Sequence, residues 1–296
     1  MVHKSWKTKL RRAGVILLLL WGLLVLWGYW FAWRKVPTYS PLPNIVLAHP
    51  LLTGAEYETV MGTHPRPYLV ELTTDDGGSL LLFGAEHTKD PNNPQIQEIR
   101  RRWEGLEPTV ALVESDLGIL FPGLMEPVET FGEPGVVHAL ARQAGIPTYT
   151  WEPPLEAKIA ALLAQPFSQE QIALSVILSP YFSNRRFGRP ADPEGVVAEI
   201  VRKRRDWPGI EGVLGDVTAV NQAWQNHFPN GPDWRDVSDE YGLPGFLGQI
   251  DGNLARDEHF VRVIIDLVEK GERVFAVAGS SHAVKLEAAL QATLTP

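Results

Sequence analysis

Residues 79–87 read Ser-Leu-Leu-Leu-Phe-Gly-Ala-Glu-His, and residues 273–282 read Arg-Val-Phe-Ala-Val-Ala-Gly-Ser-Ser-His. Each is a short apolar run ending in Gly-x-x-His. Each predicts a buried strand whose glycine turns the backbone tightly, so that the histidine three residues on is presented from a loop. Two further runs end in an acid, Thr109–Val113 in Glu114 and Ile146–Trp151 in Glu152. Helical patterns lie between and after them, at Pro94–Glu104, Pro134–Ala144, Gln249–Lys270 and Ala283–Leu294; the second begins on a proline and stops at Gly145. A hairpin opens the series, because Pro67–Leu72 and Ser79–Phe83 are joined by Thr-Thr-Asp-Asp-Gly-Gly. The fold class is therefore α/β, with a mainly parallel sheet flanked by helices on both faces. In such a sheet all four ionisable ends share the carboxyl edge, where ligands bind.

The amino end has a different character. Gly14–Trp33 runs twenty residues without a charge, and a helix of that length spans about 30 Å, the hydrocarbon thickness of a bilayer. Lys4, Lys7, Lys9, Arg11 and Arg12 precede it with no acid among them, a flank that is retained on the cytoplasmic side. Trp27, Trp30 and Trp33 crowd its far end, as aromatic rings do at the headgroup layer. A cleaved signal peptide has a shorter apolar core and a small-x-small cleavage site, whereas this segment ends in Trp-Arg-Lys. We expect a single-pass signal-anchor: residues 1–13 a cytoplasmic tail, 14–33 the transmembrane helix, 34–43 a stiff spacer and 44–296 an extracytoplasmic domain. The chain has no cysteine, so disulfides and lipid attachment through a thiol are excluded.

The formal charge is −8, and residues 1–35 carry seven Lys/Arg and no acid, so 36–296 carry −8 minus +7, or −15. So acidic a domain is a poor nucleic-acid binder. Residues 155–248 interrupt the strand-helix order. Helix follows helix to about Arg205, and 207–248, dense in Gly, Pro, Asp and Trp, reads as a long ordered loop over the site. Nothing in the composition divides the domain, and this stretch reads as an insertion within it.

The chemistry expected at the carboxyl edge follows from the residue types. Imidazole plus carboxylate can hold Mn²⁺, Zn²⁺ or Fe²⁺, or can activate water as a general base. His87 and His282 are the candidate metal ligands, with Glu114 as ligand or base and Glu86 as the alternative acid. Their histidine side chains are expected within about 10 Å of each other, the reach of one shared ion. Arg256 lies one helical turn before Phe260 on the stripe formed with Val263, Ile264 and Leu267. Facing inward, it would stabilise a developing anion. Asp257 and His259 fall off that stripe and read as exposed, His138 reads as a packed histidine, and the cluster Arg185–Arg189 as a solvated loop.

The order of these motifs resembles the TraB/TIKI superfamily, with its ChaN-like and erythromycin-esterase-like members. Gly84-Ala85-Glu86-His87, the polar loop through Asn92 and Asn93 and the strand ending Val113-Glu114 are similar to its first half. Arg256-Asp257 on a long helix, then Val274–Ala278 and Gly279-Ser280-Ser281-His282, are similar to the ChaN-like ending. ChaN-like members often carry Gly-Glu-x-His, whereas here the acid stands next to the histidine. The likeness covers about 80–120 and 250–290. It implies an α/β fold whose two histidine turns meet at one site. Members include metal-dependent proteases, lactone-opening esterases and haem-binding lipoproteins. We therefore expect an outward-facing hydrolase of peptide or ester bonds with a divalent metal. The alternative is a non-catalytic protein that binds haem or a metal.

Overall fold

In the computed structural model, which describes residues 2–115, 117–185, 188–239 and 242–295, five strands form one mixed sheet in the order β1-β2-β5-β3-β4. They are β1 (Tyr68–Thr73), β2 (Ser79–Ala85), β3 (Val110–Val113), β4 (Thr148–Thr150) and β5 (Arg273–Gly279). β1 is antiparallel to β2, with Tyr68 opposite Gly84, and the other pairings are parallel. β5, last in sequence, lies centrally between β2 and β3, with Ala85 opposite Gly279. β2 is buried along its whole length, which is why it reads as an unbroken apolar run instead of an alternating one.

The helices are α1 (Val2–Phe31), α2 (Gly54–Val60), α3 (Pro94–Leu106), α4 (Pro127–Phe131), α5 (Glu133–Ala144), α6 (Leu155–Leu163), α7 (Gln169–Arg185), α8 (Pro193–Arg204), α9 (Val217–His227), α10 (Leu254–Glu269) and α11 (Ser280–Leu294). The chain divides into two compact units, one of residues 53–56 and 153–261, the other of the rest. In the sheet unit, Ile96, Ile99 and Trp103 of α3 and Val136 and Val137 of α5 pack with Phe83, Val113 and Phe275 in one core. α11 packs against β1, β2 and β5. Fully burying each such Leu, Ile, Val or Phe contributes about 1.5–3 kcal/mol, so this core, and not helix propensity, holds the sheet unit together.

Residues 153–261 form more than an insertion in a single domain. α6 to α9 enclose a core of their own, with Tyr181, Phe182, Trp224 and Trp234 each no more than 3 % exposed. The stretch 207–248 is accordingly not a loop. Its described residues include α9 and short turns of 3₁₀ helix at Trp234–Asp236 and Gly245–Gly248, and two of its tryptophans are anchored inside the unit, Trp224 Nε1 donating to Pro232 O at 3.0 Å and Trp234 Nε1 to Asn221 Oδ1 at 2.7 Å.

α1 contains Arg11–Gly28, a stretch long and apolar enough to cross a membrane and unburied throughout. It ends at Phe31, and Trp33, expected at the end of the span, is 4 % exposed with its N–H bonded to Leu120 O at 2.7 Å. The expected spacer is docked. Val36 is 2 % exposed in the core, Pro37 O accepts from Thr150 N at 2.9 Å, and Thr38 makes a parallel bridge to Thr150. Tyr39 donates to the buried carboxylate of Asp266 at 2.7 Å. Residues 33–39 thus satisfy the otherwise open edge of β4.

Candidate functional site

Because β2, β5 and β3 are parallel neighbours, their carboxyl ends bring His87, Gly279 and Glu114 to one edge. A Cβ built on Gly279 would lie 3.0 Å from His87 Nε2 and 3.8 Å from His282 Cδ2. The two ring atoms are therefore no farther apart than those distances together, well inside the expected 10 Å or so. Glu114 Oε2 accepts from Gly279 N at 3.2 Å, so the acid after β3 caps the head of α11 from across the sheet.

The glycines serve a purpose other than the one expected of them. Gly279 has φ −60° and ψ 147°, a conformation any residue adopts, and it lacks a side chain because His87 occupies the space. Gly84 is still within β2; a Cβ there would meet Ala283 Cβ at 2.8 Å and Tyr68 O at 2.9 Å, so its absence lets α11 close on the strand. His282 also departs from expectation. α11 begins at Ser280, so His282 lies in its first turn, 5 % exposed, with its ring edge-on to Trp151 at 5.1 Å. Trp151 is itself fixed by donating Nε1–H to Val277 O at 3.0 Å.

His87 is half-exposed and held from behind. Its Nδ1 stands 3.5 Å from Oε2 of Glu133, a carboxylate 2 % exposed. The other carboxylate oxygen, Oε1, accepts from Thr88 N at 2.6 Å and from Gln95 Nε2 at 3.4 Å. Gln95, 5 % exposed, also clamps the backbone of Glu86, accepting from its N–H at 3.1 Å and donating to its carbonyl. The polar loop after β2 is thus pinned by α3 and by the head of α5. A buried carboxylate behind one ring nitrogen sets the tautomer and aims the other nitrogen. Glu133 was not among the expected residues, although it precedes the buried Val136 and Val137 by three and four positions, the spacing that singled out Arg256.

Glu86 is exposed and lines a cleft of about 390 Å³ with Arg66 and Glu98. Arg256 is part of the helical unit, where it donates to Asn253 Oδ1 at 2.8 Å and lines a cleft of about 350 Å³ with Lys158, Arg204 and Trp207. Asp257, expected on the exposed face, is 2 % exposed. Glu152 donates its backbone N–H to Thr150 Oγ1 at 3.2 Å. In the 185–189 cluster Arg189 pairs with Asp236 at 2.8 Å, and Arg186 and Phe187 lie outside the described residues.

A divalent metal was expected at His87, His282 and Glu114. Among the described residues no three of His, Asp and Glu are grouped to hold an ion, and the Glu114 carboxylate is engaged by the Gly279 N–H. No step below is routed through a metal. Comparison of the chain with known protein families, with curated proteins and with solved structures returns no match.

Proposed function

We propose that the chain is a membrane-anchored, outward-facing hydrolase of ester or peptide bonds, in which His87 is the general base and Glu133 its orienting carboxylate. One observation carries this reading: Nδ1 of His87 faces buried Glu133 while Nε2 stands above Gly279 at the head of α11. With the proton on Nδ1, Nε2 accepts a proton from water as that water adds to a carbonyl carbon. The oxyanion that forms is met by the first-turn N–H groups of α11 beyond Gly279, whose own N–H is held by Glu114. As it collapses, the bond to the leaving alcohol or amine breaks and that group takes the proton back from Nε2. His282 and Trp151 wall the other side. Anchoring and orientation are supported by the apolar helix and by the five basic residues before it.

The motif order shared with the TraB/TIKI superfamily agrees with hydrolysis and also with haem or metal binding. One experiment separates them. The detergent-solubilised chain is incubated with a panel of esters and peptides, with chelator or with added Mn²⁺ or Zn²⁺, and is titrated separately with haem. Turnover that survives chelation supports the proposal. Turnover only with a metal would replace His87 as base by a metal-bound water, and a Soret band without turnover would replace hydrolysis by haem binding.

A further inference from the structure

Residues 117–125 read Leu-Gly-Ile-Leu-Phe-Pro-Gly-Leu-Met, nine in a row without a charged or hydrogen-bonding side chain. They lie between β3 and α4 and leave the core as an apolar turn. Leu117 and Leu120 anchor its base, 2 % and 0 % exposed, whereas Ile119 is 65 % and Leu124 85 % exposed, with Phe121 and Met125 also outside. Exposed apolar residues scattered singly need no explanation. Among the described residues, however, four of the nine large ones exposed outside α1 fall within these seven positions, a cluster that calls for an apolar partner. The turn is also tightly made. Gly123 takes φ +80°, and the N–H groups of Leu124 and Met125 both donate to Phe121 O, at 3.1 and 3.0 Å. Pro122 has no N–H, so the tip has fewer backbone donors to strip of water than an open loop would have. Glu126, the first charge beyond, turns back to cap α4 by accepting from Glu129 N at 2.7 Å.

What lies beside the turn identifies that partner. A Cβ built on Gly28 would lie 3.6 Å from Phe121 Cε1, so the Phe121 ring packs on α1 at the last residue of Arg11–Gly28, the stretch long and apolar enough to cross a membrane. At the base of the turn Leu120 bridges Trp33 in antiparallel fashion, its carbonyl accepting from Trp33 N at 2.7 Å. The turn is therefore held against α1 where the apolar stretch ends. Trp30, 76 % exposed, carries there a ring of the kind that prefers the boundary between hydrocarbon and water. Apolar side chains exposed at that level are favoured among the acyl chains and their polar boundary over water. We propose that the turn Ile119–Met125 inserts into the lipid leaflet from which α1 emerges, giving the sheet unit a second membrane contact beside the helix. Two contacts remove the freedom to swivel that one helix leaves. The proposal rests on the reading of α1 as a membrane span.

The chain has no cysteine, so one introduced thiol carries one spin label. Full-length Leu20→Cys, Asp76→Cys, Ile119→Cys and Leu124→Cys, all at exposed positions, are labelled and reconstituted into phosphatidylcholine vesicles, with the fold checked by circular dichroism. Leu20 lies within the apolar stretch of α1, and Asp76 in the turn before β2, at the sheet edge opposite the end of β3. Power-saturation EPR compares collisions of each label with oxygen, which concentrates in hydrocarbon, and with a water-soluble nickel chelate. Labels at 119 and 124 should collide more with oxygen, as at 20, and the label at 76 more with nickel. Nickel-dominated collisions at 119 and 124, with oxygen still dominant at 20, would overturn the proposal and leave the span intact. Nickel dominance at 20 as well would overturn both. Labels at 119 and 124 shielded from both reagents, with spin–spin broadening that disappears on dilution with unlabelled chain, would seat the turn on a second copy and overturn the lipid assignment.

Discussion

Glu133→Gln is the change that separates an oriented base from a packed carboxylate. The side chain is isosteric, so the buried slot behind His87 stays filled. Its amide oxygen can still accept from Thr88 N, now 2.6 Å from Oε1, and its NH₂ group then faces His87 Nδ1, 3.5 Å from the present Oε2. An NH₂ group donates, so Nδ1 must become the acceptor and the ring proton moves to Nε2. The nitrogen above Gly279 then has no lone pair for water. Loss of general-base catalysis of this kind lowers turnover by about 10²–10⁴-fold. The fold is affected far less. Exchanging a hydrogen bond to a charged acceptor for one to a neutral acceptor costs about 1 kcal/mol, and a buried charge no longer needs to be desolvated. The thermal midpoint should fall by no more than about 2–4 °C, the scale for 1 kcal/mol in a protein of this size. Two assays are needed: turnover of the best ester or peptide in the panel, and ¹⁵N NMR of the His87 ring, which reports the tautomer whether or not a substrate is known. The variant should show the proton on Nε2 and wild type on Nδ1. An unchanged tautomer together with unchanged turnover would refute the reasoning.

Three other outcomes follow from the packing and the charges. Glu114→Gln retains an acceptor for Gly279 N and should keep turnover within tenfold and stability within about 1 kcal/mol, whereas a loss of two or more orders of magnitude would make Glu114 itself the base or a ligand. Gly84→Ala should destabilise the chain by about 1–3 kcal/mol, because its methyl would press on Ala283 and on the Tyr68 carbonyl; a denaturant midpoint equal to wild type would contradict the close approach. Burial first, and then Arg142, push His138 down from 6.5 to about 4. The unfolded chain therefore takes up the proton first, and stability from this group is lost as pH falls from about 6.5 to about 4, some 3 kcal/mol in all. Urea midpoints at pH 7 and pH 4 should accordingly differ more in wild type than in His138→Gln, and equal acid sensitivity would remove the assignment.

The strands were legible because β2 and, after Arg273, β5 are buried along their length and carry only apolar and small residues. Their parallel order, and with it the meeting of His87 with the head of α11, followed from the alternation of strand and helix. The start of α11 was not legible: Ser280-Ser281-His282 carries no apolar periodicity, and Gly279 looks like a turn, although its backbone is ordinary and only its missing side chain matters. Glu133 was hidden by position, since an acid in the first turn of a helix is ordinarily explained by the dipole. Residues 34–43 resemble a linker in composition, and what docks them is a backbone bond from Thr150 N to Pro37 O, the buried Val36 and the Tyr39 hydroxyl on Asp266, none of which has a periodic signature. In residues 207–248 the core includes scattered residues such as Ile210, Leu214, Trp224, Trp234 and Val237, and the indole N–H groups of the two tryptophans bond to partners 8 and 13 residues away, beyond the reach of any helical or strand period.

The account stands or falls on His87 as the base. Wild type and His87→Gln, both full length and in the same detergent, are to be compared on the ester and peptide panel in the presence of chelator. We expect measurable turnover by wild type and a fall of about 10²–10⁴-fold in the variant, with the thermal midpoint unchanged because the ring is half-exposed. Equal turnover by the two proteins, or none by either on any member of the panel, would contradict it.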